Sequence, residues 1–360
     1  MKKKVLRTIM VFGTMIVMSA CTGKGSTESS TAAGSPASSP QNVSDNRDAG
    51  IKVAAVLALG GLGDGSLSDA INSGLEQAKA ELGATVQLVE PKEIAEYKEH
   101  FAELARSEEY DLIIGGGFDQ SEAIATVAAA FPNQKFLLVD SGIDNDTNVT
   151  SISYANNERS FVVGAIAGMM TKNNKVGVIG GADAPFIHNC VAGYIAGAQY
   201  ANPDVEVSVK YTNSWSDTTL AKEISLAMYD TGVDIIYNQC GGAGLGIYSA
   251  AEDNNFYAIG TDTNQNGLSP DHIMCSAISL MGETVFRGIQ DEINGMLVPG
   301  SELRGFATQG VGYTTDGSNV VIPADVINFA DAVIQKIISG ELKVPEKLED
   351  VDDFLKSARP

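Results

Sequence analysis

Positive charge is scarce in this chain. Against 45 Asp and Glu stand 24 Lys and Arg, a formal net charge of −21 over 360 residues. A basic footprint for nucleic acid is therefore absent, and that partner is excluded. An acidic body also gains nothing from anionic lipid, so any membrane attachment must come from a lipid group itself. Histidine is rarer still. His100, His188 and His272 lie far apart, none in an HExxH sequence or beside a CxxC, and no metal site is read. Beyond Cys21 the cysteines are Cys190, Cys240 and Cys275, an odd number that excludes a complete disulfide framework. They read as small core residues, with a single bridge left open. No GxSxG, no Walker A sequence and no activated Cys–His pair occurs.

What is present begins at the N-terminus. Lys2, Lys3, Lys4 and Arg7 form a basic region, and Thr8 to Met18 is mostly apolar but too short to span a bilayer comfortably. Met18-Ser19-Ala20-Cys21 then has the small residues of a cleavage site. A Cys placed there resembles a bacterial lipobox, with Met18 where Leu is usual. The expectation is loss of 1–20, lipid on Cys21, and an extracytoplasmic body anchored to the cell membrane. The alternative is a plain secretory signal with an incidental Cys. Residues 22–50 are Ser, Thr, Ala, Gly and Pro with almost no large apolar side chain, the composition of a flexible tether. Its reach would be roughly 30 Å.

From Ile51 short apolar runs alternate with helical stretches. IKVAAVLAL precedes a Gly-rich turn and SDAINSGLEQAKAEL; TVQLVE precedes IAEYKEHFAELAR; DLIIGGG precedes SEAIATVAAAF; KFLLVD follows. Strands that are apolar almost throughout fit a parallel sheet covered on both faces. This is the pattern of a doubly wound α/β lobe. The rhythm restarts after SFVVGAIAGMMTK, with KVGVIGG, EVSVKYT, DIIYNQ and FYAIGTD as strands. A folded body of about 310 residues suits two such lobes. The boundaries read as 51–153 and about 268–312 for the first lobe, and about 154–267 and 313–345 for the second. Residues 346–360 read as a tail.

In open α/β sheets ligands bind outside the carboxyl ends of the strands, so the candidates are sought there. In the loop Gly60-Gly61-Leu62-Gly63-Asp64-Gly65-Ser66, Gly61 and Gly63 begin a dinucleotide fingerprint that Ser66 breaks. Export argues against a nicotinamide cofactor, and no cofactor is expected. The loop reads either as N–H groups and the Ser66 hydroxyl facing a cleft, or as a turn capped by Asp69. Asp140 and Asp262 end their strands, where a carboxylate accepts paired sugar hydroxyls or caps the next turn. Phe118 and Asp119, after the third strand, join the candidates. Trp215, the only Trp, follows a strand in YTNSWSD, placed to stack on a flat ligand or to pack. Gly242 and Gly244 follow IIYNQC, admitting a ligand to the backbone or a helix to the sheet. Two carboxylates also suit a glycosidase, but no cluster of sugar-binding aromatics accompanies them.

Together these pieces resemble the basic membrane protein family, the substrate-binding lipoproteins of purine nucleoside transporters. The resemblance runs from about Val53 to about Pro345. It rests on NERSFVVGAIAGMMTKNNKVGVIGGADAPFI, YTNSWSD, NQCGGAGLGIYSAA and IGTDTNQ. It implies a two-lobed type I periplasmic-binding-protein fold with a hinge between the lobes, an ABC permease as partner, and no catalysis. It also implies that the aromatic at Trp215, usually Phe in the family, stacks on a base. Gly242 and Gly244 would line the cleft, and Asp262 would hold ribose hydroxyls. The family stretch T-D-x-G-G-I-N-D-K-S-F-N stands here as Leu57 to Ser68. Its base-pairing Asp is Ala58, its Phe and Asn are Leu67 and Ser68, and a Lys usual after IMCSA is Ser279. Losing a hydrogen-bond partner from a polar site shifts selectivity by orders of magnitude. A purine nucleoside, another nucleoside, a flavin-like ring and other polar planar solutes all stay open as the ligand. The expected protein is a lipid-anchored receptor that delivers a nucleoside-like solute to a permease. A binding module reporting to a sensor and an exported nucleoside-processing enzyme are the alternatives.

Overall fold

The first strand, β1 (Lys52–Val56), has no polar face. Val53 and Ala55 join one apolar cluster, while Ala54 and Val56 join another on the opposite side. Such a strand needs cover on both faces, and that need organises the lobe. The structure, a computed structural model, describes residues 50–145 and 147–358. The leader, Cys21 and the tether read from the sequence lie outside the described residues.

The strands that follow are β2 (Thr85–Val89), β3 (Leu112–Gly116), β4 (Lys135–Val139), β5 (Val149–Tyr154), β6 (Lys175–Gly180), β7 (Glu206–Tyr211), β8 (Ile235–Gln239), β9 (Tyr257–Asp262), β10 (Ile273–Ser279), β11 (Gly300–Arg304) and β12 (Val311–Thr314). They form two six-stranded sheets with the orders β11-β5-β4-β3-β1-β2 and β12-β10-β9-β8-β6-β7. Every pairing is parallel except that of β12 with β10. The helices are α1 (Leu67–Leu82), α2 (Tyr97–Ser107), α3 (Ser121–Ala130), α4 (Asn156–Met170), α5 (Pro185–Ala201), α6 (Thr218–Asp230), α7 (Leu245–Asn254), α8 (Met281–Ile293), α9 (Ala324–Ile338) and α10 (Val351–Ala358). In the first lobe α1 packs with α8, and α2 with α3; in the second α4 packs with α5 and α9, and α6 with α7. The doubly wound, two-lobed α/β architecture read from the sequence is the one observed.

The boundaries differ from that reading in two places. The segment 268–312 divides between the lobes. IMCSAIS is buried almost throughout and takes β9 and β12 as its neighbours, so β10 belongs to the second sheet. Only α8 and β11 return to the first lobe. The chain therefore crosses after β5, after β10, and again between β11 and β12. The segment read as a tail is packed where it is described. Helix α10 packs on α5 through buried Val351 and Leu355, and Phe354 meets Phe161 edge-on at 5.6 Å. Cys190, Cys240 and Cys275 are free and buried. Among the described residues no helix is long and apolar enough to cross a membrane.

The closest helix contact is the α4–α5 seam. Gly164 faces the Tyr194 carbonyl, Gly193 the Asn157 carbonyl and Gly197 the Phe161 carbonyl. A Cβ on any of these would collide with backbone, which cannot yield as a flexible side chain can. Gly197→Ala is therefore expected to cost about 1–3 kcal/mol through overpacking. Urea unfolding of the two proteins measures the difference, and equal midpoints would show that the seam tolerates a methyl group.

Candidate functional site

The carboxyl ends of the two sheets face a shared cavity. The first lobe supplies the loop after β1, whose Gly60, Gly61, Gly63 and Gly65 all have positive φ. That conformation is routine only for glycine, and it wraps the loop around Asp64. The Asp64 carboxylate accepts from the backbone N–H of Ser66, Ser68 and Asp69. It is spent on shaping the start of α1, and Asp69, read as a cap for this turn, accepts from the N–H of Gly63 and Gly65. Burial raises the Asp64 carboxyl above its ordinary value, against the pull of those three N–H groups.

Asp140 and Asp262 occupy matching places. One follows β4, the other ends β9, and these strands hold the same position in the two sheet orders. Both residues have left-handed backbone, with φ of 63° and 65°. Such φ is uncommon outside glycine, though Asp tolerates it, and it marks both strand ends as specialised. Asp140 accepts from Asn156 Nδ2 at 3.3 Å. Asp262 Oδ1 accepts from Arg159 Nη2 at 2.7 Å, and its Oδ2 from the Ser66 hydroxyl of the opposite lobe. Arg159, 1% exposed, also donates from Nη1 to the Ala277 carbonyl at 3.1 Å.

An aromatic wall completes the cavity. Phe118 stacks on Phe186 at 5.2 Å and meets Trp215 edge-on at 6.0 Å. Gly181 lies so close to the Trp215 ring that a Cβ there would penetrate it. Burial raises the Asp119 carboxyl, while a hydrogen bond with the Trp215 side chain pulls it back.

Of the residues singled out from the sequence, Ser66, Leu67, Phe118 and Asp119 line the cavity from the first lobe along with Asp140. Trp215 and Asp262 line it from the second. Ser68, Gly242, Gly244 and Ser279 do not. The Ser68 hydroxyl turns to the Ala58 carbonyl at 3.4 Å. Gly242 lies under Asp64 and the Trp215 carbonyl, and Gly244 is pressed against the Asn238 side chain, so packing explains the second glycine. Ser279 donates at 3.5 Å to Asn156 Oδ1, one residue removed from Asp140. Sequence reasoning passed over Arg159, Tyr97, Phe186, Gln239 and Thr261, all in the lining. Arg159 stood in the quoted NERSFVVG motif, but an Arg in the first turn of a helix carries no sign that it turns inward. Among the described residues no group of His, Cys, Asp and Glu is placed to hold a metal ion.

Comparison with known proteins bears on the family and the fold. The sequence profile of the Bmp family, described as ABC transporter substrate-binding protein PnrA-like, matches residues 51–348. The CD4+ T-cell-stimulating antigen of Listeria innocua is 30% identical, covering 96% of this chain and 100% of that protein. The ABC transporter nucleoside-binding protein BmpA of Lactococcus lactis is 29% identical over 82% of this chain and 90% of its own. An ABC transporter solute-binding protein of Aeropyrum pernix K1 superposes with a TM-score of 0.78 at 27% identity, over 85% of this chain and 98% of that one. The two sheets with flanking helices are those of type I periplasmic solute-binding proteins.

Asp140 gives the site a pH dependence. Burial first, and then the Asp262 charge, push its carboxyl up to about 7, against Arg159 and Asn156. The folded protein thus keeps a proton that the unfolded chain releases near the ordinary value of 3.8. Stability from this group is present at low pH and falls as pH rises from about 4 to about 7. Asp140→Asn stays neutral throughout and removes that part of the fall. Urea unfolding at about pH 5 and pH 8 is expected to show a larger loss in the wild type than in the variant. Identical losses would mean that Asp140 is already ionised at about pH 5 in the folded state.

Proposed function

The chain belongs to the Bmp family of PnrA-like ABC transporter substrate-binding proteins, and from that membership we propose that it is the lipid-anchored receptor of an importer, capturing a nucleoside-like solute for a permease. The observation that carries this reading is the pairing, in one cavity, of an aromatic wall with two strand-end carboxyls. Trp215 and Phe118 offer faces and edges to a flat ring. Asp140 and Asp262 offer oxygen to hydroxyl groups. A base joined to a sugar presents both chemistries.

Lobe closure supplies the signal for delivery. The Gly65 carbonyl accepts from Thr263 Oγ1 at 2.6 Å and from Gln265 Nε2 at 2.8 Å, and Ser66 donates to Asp262. These contacts cross from the first lobe to the second. A ligand touching both lobes favours the arrangement in which they meet, by its differential affinity for it. The permease then reads two lobes held at a fixed separation. Lipid on Cys21 would keep the receptor beside its permease while the tether lets the body turn.

A thermal-shift panel of purine and pyrimidine nucleosides, free bases, riboflavin and simple sugars tests the ligand class. A nucleoside at 100 times its dissociation constant should add about 2.7 kcal/mol of stability. Trp215 is the only Trp, so its fluorescence reports on the same cavity. Saturable quenching by a nucleoside is expected, with Trp215→Ala losing about tenfold or more in affinity. Stabilisation by sugars or riboflavin alone would replace the nucleoside. A separate prediction concerns the anchor: palmitate labelling in cells is expected for the wild type and absent from Cys21→Ser, which would leave the membrane fraction. Labelling of neither would remove the lipid from this reading.

A further inference from the structure

The cavity wall holds more acid than base. Asp64 is occupied with backbone N–H groups, as described above. That leaves Asp119 beside Trp215, and Asp140 and Asp262 at the matching strand ends, with Arg159 as the one basic residue in the lining. Arg159 comes from α4, where it sits buried between the Asp262 carboxylate and the Ala277 carbonyl. Its Nε is buried with no hydrogen-bond partner among the described residues.

We propose that Arg159 determines the charge this cleft accepts: by neutralising Asp262 it fits the wall to an uncharged hydroxylated group and sets it against a cationic one. The inference rests on the nucleoside reading for its choice of probe, but its electrostatic part does not. Without Arg159, two carboxyls at equivalent strand ends would face the ligand with nothing to offset them. Such a wall attracts an ammonium group. With Arg159 present, Asp262 is already paired, and its other oxygen holds Ser66 of the opposite lobe. A cation entering there meets a guanidinium and loses its own hydration for little return. A hydroxyl donates to Asp140 or Asp262 and accepts from Arg159. The groups facing Asp140 are Asp262 from β9, Arg159 and Asn156 from α4, Tyr154 from β5 and Cys190 from α5. Of these Arg159 alone is a base, and it holds the Asp140 carboxyl lower than burial and Asp262 would leave it.

The test compares the wild-type protein with Arg159→Gln and Arg159→Lys. The first measurement needs no ligand. The carboxyl carbon of Asp140 is followed by NMR against pH in the free protein. Its midpoint is expected to rise by about one pH unit or more in Arg159→Gln and to stay near the wild-type value in Arg159→Lys. An unmoved midpoint in Arg159→Gln overturns the proposal. The second measurement is calorimetric binding of adenosine, inosine, guanosine and uridine, and of the 5′-amino-5′-deoxy analogue of each, which carries an ammonium group in place of one hydroxyl. The wild type is expected to prefer the hydroxyl form. Arg159→Gln should shift that preference towards the ammonium form by about tenfold or more, while Arg159→Lys keeps it. An ammonium form bound by the wild type as well as its hydroxyl partner overturns the proposal, and this result needs no variant that folds. Binding of neither form by the wild type, with the Asp140 midpoint still moving in Arg159→Gln, would sink the nucleoside reading and leave the charge assignment standing.

Discussion

A buried guanidinium cannot stand alone, and Arg159 finds its counter-charge in Asp262 at 2.7 Å. Removing either partner would strand the other in a medium that solvates it poorly. The arrangement of the cleft follows from this pair. Asp262 is held in one orientation, which leaves its second oxygen for Ser66 of the facing lobe. The Ser66 hydroxyl is positioned by the Gly-rich loop that Asp64 knots together. A chain of contacts therefore runs from α4, through the end of β9, to the start of α1. The place where the lobes meet is also the place where their charges are balanced.

The position of Arg159 depends on packing well away from the cavity. Helix α4 is buried along most of its length, from Asn156 to Gly168. It lies against α5 through glycines that allow backbone to touch backbone. That close seam fixes α4 to the second lobe while its first turn reaches the cleft. Asn156 and Arg159 are three residues apart and share one helix face. One holds Asp140 of the first lobe, the other Asp262 of the second. A single helical turn thereby governs the hydrogen bonding of both strand-end carboxyls. Ser279, donating to the Asn156 amide oxygen, belongs to this supporting layer and not to the cavity wall.

What the sequence disclosed follows from how α/β sheets are covered. Strands buried on both faces read as continuous apolar runs, so β1, β3, β4, β6, β8 and β9 were legible, and their carboxyl ends with them. Asp140 and Asp262 emerged from that rule alone. β5, with Thr and Ser alternating among its apolar residues, and β11, an exposed edge strand, carry no such run. They went unread, and the lobe boundary near β10 was misplaced in consequence. Glycines misled in another way. A run such as Gly241 to Gly244 signals a close approach without saying of what, and at Gly244 the neighbour is Asn238. Arg159 was hidden because its role depends on which way a helix turns, and only tertiary packing decides that.

The two lobes share one strand order while their sequences show no detectable repeat. β4 corresponds to β9 and β3 to β8 in the two strand orders, so the fold alone would give two similar half-sites. The side chains break the symmetry. After β3 the chain presents Phe118 and Asp119; after β8 it presents Gly241 and a helix that begins in glycines. After β4 the carboxyl is buried against an amide; after β9 it is paired with a guanidinium. Acceptors with similar backbone geometry thus acquire different electrostatic environments. Burial and the Asp262 charge push the Asp140 carboxyl up to about 7, while Asp262 is tied to Arg159. The asymmetry of the cleft thus lies in its side chains, on a strand order that the two lobes share.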